Sequence, residues 1–253
     1  MRTIPPVREL KGICQPKDLD VCLYRRIFTR PVSIYFTRLF LIAGIEADTV
    51  SVAKGLIACT GSLLFLPGVF LYSVAGAILL QLSFVLDASD GEVARFNGSC
   101  ISGRGEFIDK LGDTASRGLF YGAWGISIFT VTGDFLYLPA GMFISGVWLT
   151  ARFCAVETVL ESLSNHPDTP PSPLEMRAVT MLFLKEKTSG RGELILSRFY
   201  HPWINLATLA AAASINPALS RILFLSYSAA WLLNTVRKVV RLLKVTSFRR
   251  PVP

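Results

Sequence analysis

Six stretches of this chain are almost bare of charge. Residues 49–66 carry only Lys54, and residues 69–86, 118–132, 135–151, 199–216 and 222–236 carry no Asp, Glu, Lys or Arg. Each run falls slightly short of the ~20 residues a helix needs to cross a bilayer. One more turn, with its charged residues snorkelling to the interface, completes the span. Burying six such helices in a soluble protein takes more polar surface than the chain has. Of its 253 residues 51% are hydrophobic and 17% charged, against ~25% charged in soluble domains, and mean hydropathy is +0.47. Small residues recur inside the runs, at 75–77, 122–125 and 210–213, as suits close helix packing in lipid. The expected fold is an all-α integral membrane protein of six transmembrane helices, preceded by an N-terminal amphipathic interfacial helix.

The other classes fall away on composition. Seventeen Phe, seven Tyr and four Trp are too many for a disordered chain. The five cysteines (14, 22, 59, 100 and 154) are odd in number, scattered and partly inside apolar runs, so they read as reduced packing residues. His166 and His201 each precede a proline, far from any cysteine, and read as loop residues. No basic stripe is interleaved with exposed aromatics, so the pI of 9.4 is read as attraction to anionic headgroups, and no nucleic-acid partner is expected.

The basic residues set the expected orientation. Eight precede the first run, and Arg95, Arg104, Lys110 and Arg117 lie between the second and third. Six more, including Arg152, Arg177 and Arg198, lie between the fourth and fifth, and another six follow the last. The opposite connections, at Pro67-Gly68, Gly133-Asp134 and Pro217–Arg221, contribute only Arg221. Both termini and the two long loops are therefore expected in the cytoplasm. No cleavable signal is expected, since the run Leu39–Ile45 is short and ends at Glu46. Residues 19–44 mix aromatics with Arg25, Arg26, Arg30 and Arg38 and are broken at Pro31, which reads as an elbow in the membrane interface. Asp48 is placed as the N-cap of the first span. Residues 164–173 read as a Pro-rich loop and 174–187 as a second interfacial helix. The domains are set at 1–48 (N-terminal cytoplasmic segment), 49–240 (six-span unit) and 241–253 (basic cytoplasmic tail).

Chemistry is concentrated between the second and third runs. Asp87 and Asp90 are spaced i,i+3, and Asp109 and Asp113 i,i+4, so each pair shares one helix face. A short turn joins the two helices, and their acidic faces can converge. Four clustered carboxylates repel strongly unless a cation sits among them. An all-oxygen donor set suits Mg²⁺ or Mn²⁺ rather than zinc, and two metals sharing carboxylates can clamp a phosphoryl group during in-line displacement. Four solvated acids on a loop fit poorly, because the flanking residues are apolar and helix-forming. An ion-conducting site would be expected near the bilayer midplane, whereas these acids lie at span ends.

The pattern Asp87-x2-Asp90-Gly91-x2-Ala94-Arg95, a nine-residue spacer, then Gly105-x3-Asp109-x3-Asp113 resembles the signature of the CDP-alcohol phosphotransferases. That resemblance implies a membrane transferase moving a phosphatidyl-type group from a CDP-linked lipid, foremost CDP-diacylglycerol, to a small alcohol or polyol phosphate, with release of CMP in phospholipid synthesis. It implies two Mg²⁺ ions, with Mn²⁺ as an alternative, and a homodimer. Asp87 and Asp109 would bridge both metals, Asp90 would hold the first and Asp113 the second, and Asp113 would also be the general base. Arg95 would bind the donor diphosphate, while Gly91 and Ala94, if not simply packing residues, would let nucleotide approach the helix. The family's small nucleotide-contacting residue maps to Ser102, and the polar positions opening its first span map to Asp48 and Ser51. The spacer is one residue longer than is common, and the first span opens Glu46-Ala-Asp48 where relatives often have Pro-Asn/Asp. Arg117, Arg152 and Arg198 are candidates for a phosphorylated acceptor, although snorkelling explains them equally well. Two alternatives stay open: a CDP-inositol or other CDP-polyol donor, and a non-catalytic cation-binding membrane protein on the same fold.

Overall fold

The computed structural model describes residues 4–16, 24–98, 103–150 and 202–246. Among these residues every regular element is a helix and there is no strand. In chain order they are α1 (Val7–Cys14), a π-helical turn (Arg25–Thr29) running into α2 (Arg30–Ala43), α3 (Ala47–Leu63), α4 (Phe70–Asn97), α5 (Gly103–Thr132), α6 (residues 137–150), α7 (Pro202–Ala213) and α8 (Pro217–Thr246). The six apolar runs coincide with α3 to α8. Ser102, Arg152, Arg198 and the segments 164–173 and 174–187 lie outside the described residues.

Three local expectations are corrected. Asp48 does not cap α3. The helix begins at Ala47 after the extended residue Glu46, and Asp48 sits inside its first turn, where a carboxylate faces the positive end of the helix dipole. Pro31 does not break the elbow either. Proline cannot donate a backbone hydrogen bond and its ring crowds the preceding turn. The chain accommodates it by widening the turn before it, so that the Arg30 N–H reaches the Arg25 carbonyl. Finally, the last connection is made by residues 214–216, because Pro217 already opens α8. That is a favoured position for proline in a helix.

α3 packs against both α4 and α5, and this trio is the frame of the molecule. α2 and α1 lie against α4, α7 packs on α4, and α8 contacts α5 and α7. The core is aromatic: Phe65, Phe120, Trp124 and Phe224 are fully buried, with Phe65–Phe120 and Trp124–Phe224 in edge contact at 4.9 and 5.3 Å. The Trp124 indole N–H donates to Ser220 Oγ at 3.0 Å, so the one polar atom of that side chain is satisfied. Leu56, Leu71, Ile78, Phe143 and Ile222 point outward and are exposed. Among the described residues one helix, α4, is long and apolar enough by length and composition to cross a membrane.

Glycine permits a backbone-to-backbone contact where α5 meets α6. A methyl group on Gly125 would lie 2.7 Å from both the Gly141 Cα and the Tyr137 carbonyl. Backbone cannot swing aside as a flexible side chain can. Gly125→Ala is therefore expected to lose about 1–3 kcal/mol through overpacking, outweighing the ~1 kcal/mol by which Ala favours a helix over Gly. A methyl on Gly122 would lie 4.0 Å from Ser145, an ordinary van der Waals contact, so Gly122→Ala should hold or raise stability. Thermal unfolding of both variants in detergent checks this, and equal melting temperatures would contradict the packing argument.

Candidate metal centre

The acidic positions arrive from two helices. Asp87 and Asp90 stand near the C-terminal end of α4, and Asp109 and Asp113 in the first half of α5. Gly98, with φ +65°, closes α4 in the left-handed conformation that glycine adopts readily. One carboxylate oxygen from each of Asp87, Asp90 and Asp109 lies within 4.8 Å of the others. Asp113 is at the rim, with 46% of its side chain exposed. It accepts a hydrogen bond from Arg117 Nη2 at 3.2 Å, while the Arg117 guanidinium stacks over the Trp148 ring at 5.4 Å.

Like unit charges ~4 Å apart repel by about 4 kcal/mol at an effective dielectric of ~20, so cations are required. Lys54 supplies the central one. Its Nζ lies 2.9 Å from Asp87 Oδ1 and 3.9 Å from both Asp90 Oδ2 and Asp113 Oδ1, and it pairs with Asp109 Oδ1. Only 3% of the side chain is exposed. Arg25, from the π-helical turn, pairs with Asp87 Oδ2 and lies 4.7 Å from the centre of the Phe84 ring. The lysine reaches the centre because α3 and α5 meet backbone to backbone beside it: a methyl on Gly112 would lie 3.0 Å from the Gly55 Cα. Ser51, one turn before Lys54, donates from Oγ to Asp90 Oδ2 at 2.9 Å, and the Gly91 N–H donates to Asp90 Oδ1 at 2.6 Å.

Three aspartates, Ser51 and Gly91 thus meet in one place, with Asp113 beside them. Asp48 lies one turn before Ser51 on α3 and is half-buried. Ala94 is buried. Arg95 folds back over Gly91, so that a methyl there would lie 3.3 Å from Nη1. Its Nε–H donates to the Cys14 carbonyl at the end of α1, at 2.7 Å. Lys54 and Arg25 were not among the expected site residues. The signal for Lys54 was there in outline, as the single charge in the run 49–66, three residues after Ser51.

A second polar centre lies on the other side of α4. Glu92 follows Asp90 by two residues, and i,i+2 positions do not share a helix face. Its carboxylate is 1% exposed and accepts three hydrogen bonds of 2.7 Å, from Gln15 Nε2 and Ser33 Oγ to Oε1 and from Thr37 Oγ1 to Oε2. Gln15 also donates to the Arg30 carbonyl at 2.9 Å. Burial, and then the Glu92 charge, push the neighbouring Cys14 thiol up to about 11, so it remains a protonated packing group. Glu92 therefore ties the N-terminal helices to α4.

The carboxylates of Asp87, Asp90 and Asp109 offer oxygen alone, a donor set that would suit a hard divalent cation such as Mg²⁺ or Mn²⁺. The family model for CDP-alcohol phosphatidyltransferases matches residues 45–211. The match takes in the whole acidic motif and well over half of the chain. The protein therefore belongs to the CDP-alcohol phosphatidyltransferase family, a class of phosphotransferases. No curated protein matches the chain.

Glu92→Gln keeps the shape of the second polar centre but turns an amide NH₂ toward side chains that donate. An unsatisfied buried polar group costs about 1–3 kcal/mol, and the loss should appear as a lower melting temperature and faster proteolysis within residues 1–16. A variant as stable and as protease-resistant as the parent would show that α1 is held by other contacts.

Proposed function

We propose that this chain is a six-span membrane enzyme, with both termini and the acidic centre cytoplasmic. It moves a phosphatidyl-type group from a CDP-linked lipid, CDP-diacylglycerol foremost, to an alcohol acceptor, releasing CMP. The observation that carries this reading is the convergence of Asp87, Asp90 and Asp109 from two helices, in a chain whose family transfers substituted phosphates. The outward-facing apolar residues and the Lys/Arg asymmetry support the membrane placement.

Asp87, Asp90, Asp109 and Asp113 would hold the divalent metal. When bound, the metal supplies charge to stabilise the phosphoryl group and the departing CMP. The remaining work falls to the chain. Asp113, at the exposed rim, is placed to take the proton of the acceptor hydroxyl. The acceptor oxygen then forms a bond to the phosphorus distal to cytidine as the bond from that phosphorus to the CMP oxygen breaks. Arg117 holds the Asp113 carboxylate in place through its 3.2 Å contact. Arg95 has its Nε–H committed to Cys14, so a diphosphate contact falls to its Nη groups. Ser51 orients Asp90 through its hydrogen bond. Asp48, Gly91, Ala94 and Ser102 are proposed as nucleotide contacts.

The test is CMP release from CDP-diacylglycerol by purified protein in detergent, with Mg²⁺ and a panel of alcohols. EDTA should abolish release and Mg²⁺ or Mn²⁺ restore it, while Asp87→Asn and Asp109→Asn should be nearly inactive. Asp113→Asn keeps an oxygen donor but not the base, so turnover should fall about 10²–10⁴-fold with donor binding largely retained. Chelator-resistant release, or an Asp113→Asn enzyme turning over normally, would overturn the metal and base assignments respectively.

A further inference from the structure

Lys54 occupies the place where a metal would share the same carboxylates. Its ammonium touches Asp87 and Asp109 and lies 3.9 Å from the other two aspartates. The two nearest acids are the pair assigned to bridging metal ions. An ammonium and a divalent cation repel, and neither can be surrounded by the same oxygens while the other is there. The lysine stem has four flexible carbons, and the site opens on the Asp113 side, where that side chain is 46% exposed against 3% for Lys54. Arg25 and Arg117 reach the outer oxygens of Asp87 and Asp113, so they remain paired if the central cation is exchanged.

We propose that Lys54 is a tethered competitor for the metal site: its ammonium holds the four aspartates together in the metal-free protein and withdraws from between them, toward the open rim of the site, as divalent metal enters. The lysine thereby sets the metal concentration at which the site fills. This inference rests on the metal-dependent reading above, and its test separates the two.

Purified full-length protein in detergent is titrated with Mn²⁺, and free ion is followed by electron paramagnetic resonance, for the parent, Lys54→Met and Lys54→Arg. Lys54→Met should bind Mn²⁺ about 5–150-fold more tightly than the parent, the range usual for linked binding events, and Lys54→Arg should not. In EDTA, Lys54→Met should melt below the parent and recover with Mn²⁺. If the parent binds Mn²⁺ and Lys54→Met binds it no better, the competitor role is overturned and the metal site stands. If neither binds Mn²⁺, the metal-dependent reading itself fails and takes the inference with it. A second measurement needs no variant: acylation of the parent's Lys54 by an amine-reactive reagent, read by mass spectrometry. Mn²⁺ should speed labelling at Lys54 severalfold relative to other lysines, and an unchanged rate would overturn the withdrawal.

Discussion

Repulsion among four carboxylates is the term that the rest of the structure is arranged to offset. Asp87, Asp90 and Asp109 place oxygens within 4.8 Å of one another, and Asp113 stands beside them. Each close pair costs several kcal/mol without a cation. Two helices could keep the acids apart, but α3 draws them together by delivering a buried ammonium between them. That delivery requires α3 and α5 to approach without side chains between them, which Gly55 and Gly112 allow. The acidic motif, a lone lysine and two glycines far apart in sequence are therefore parts of one device.

α4 couples this device to the N-terminus. Asp90 faces α3, whose Ser51 donates to it, and Glu92, two residues on, faces α1 and α2. Arg95, a turn further along, holds the end of α1 through the Cys14 carbonyl. A displacement of α1 would be felt first at Glu92 and Arg95, and thus at the helix that carries two of the four aspartates. The N-terminal helices are consequently part of the support of the site, although they lie outside residues 45–211, where the family model matches.

The helices were legible in the sequence because lack of charge over 15 or more residues leaves few alternatives, and α3 to α8 fall on the six runs. The acidic residues were legible because i,i+3 and i,i+4 spacing is local information. What was not legible depends on distant partners. Lys54 lies 33 positions from Asp87, and Gln15 lies 77 from Glu92. Periodicity does not say that a single lysine in an apolar run turns inward, nor that a glutamate inside the motif faces away from it. The misplaced cap at Asp48 has a smaller cause: a helix start two residues earlier turns a cap into a first-turn acid. At Pro31 the sequence marks a disturbance, but not whether it is absorbed as a π-helical turn, as it is at Arg25–Thr29, or made into a break.

The distribution of polarity follows the proposed chemistry. Small hydroxyls such as Ser62, Ser73, Ser116 and Ser220 are buried, while Leu56, Leu71 and Ile78 are exposed, the reverse of what water selects. Ser62 is satisfied from within, donating to the Ser116 carbonyl at 2.8 Å, which ties α3 to α5. Along α4 the change of character is abrupt: the charge-free run ends at Leu86 and the first aspartate is Asp87. A donor with an apolar tail and a charged diphosphate needs such a boundary, since neither end can be solvated by the other's surroundings. By carrying the apolar run and the acidic residues on one continuous helix, α4 holds both at a fixed spacing. The reacting phosphorus is then expected at the level of Asp87 and Asp90, where the tail side of the boundary ends and the polar side begins.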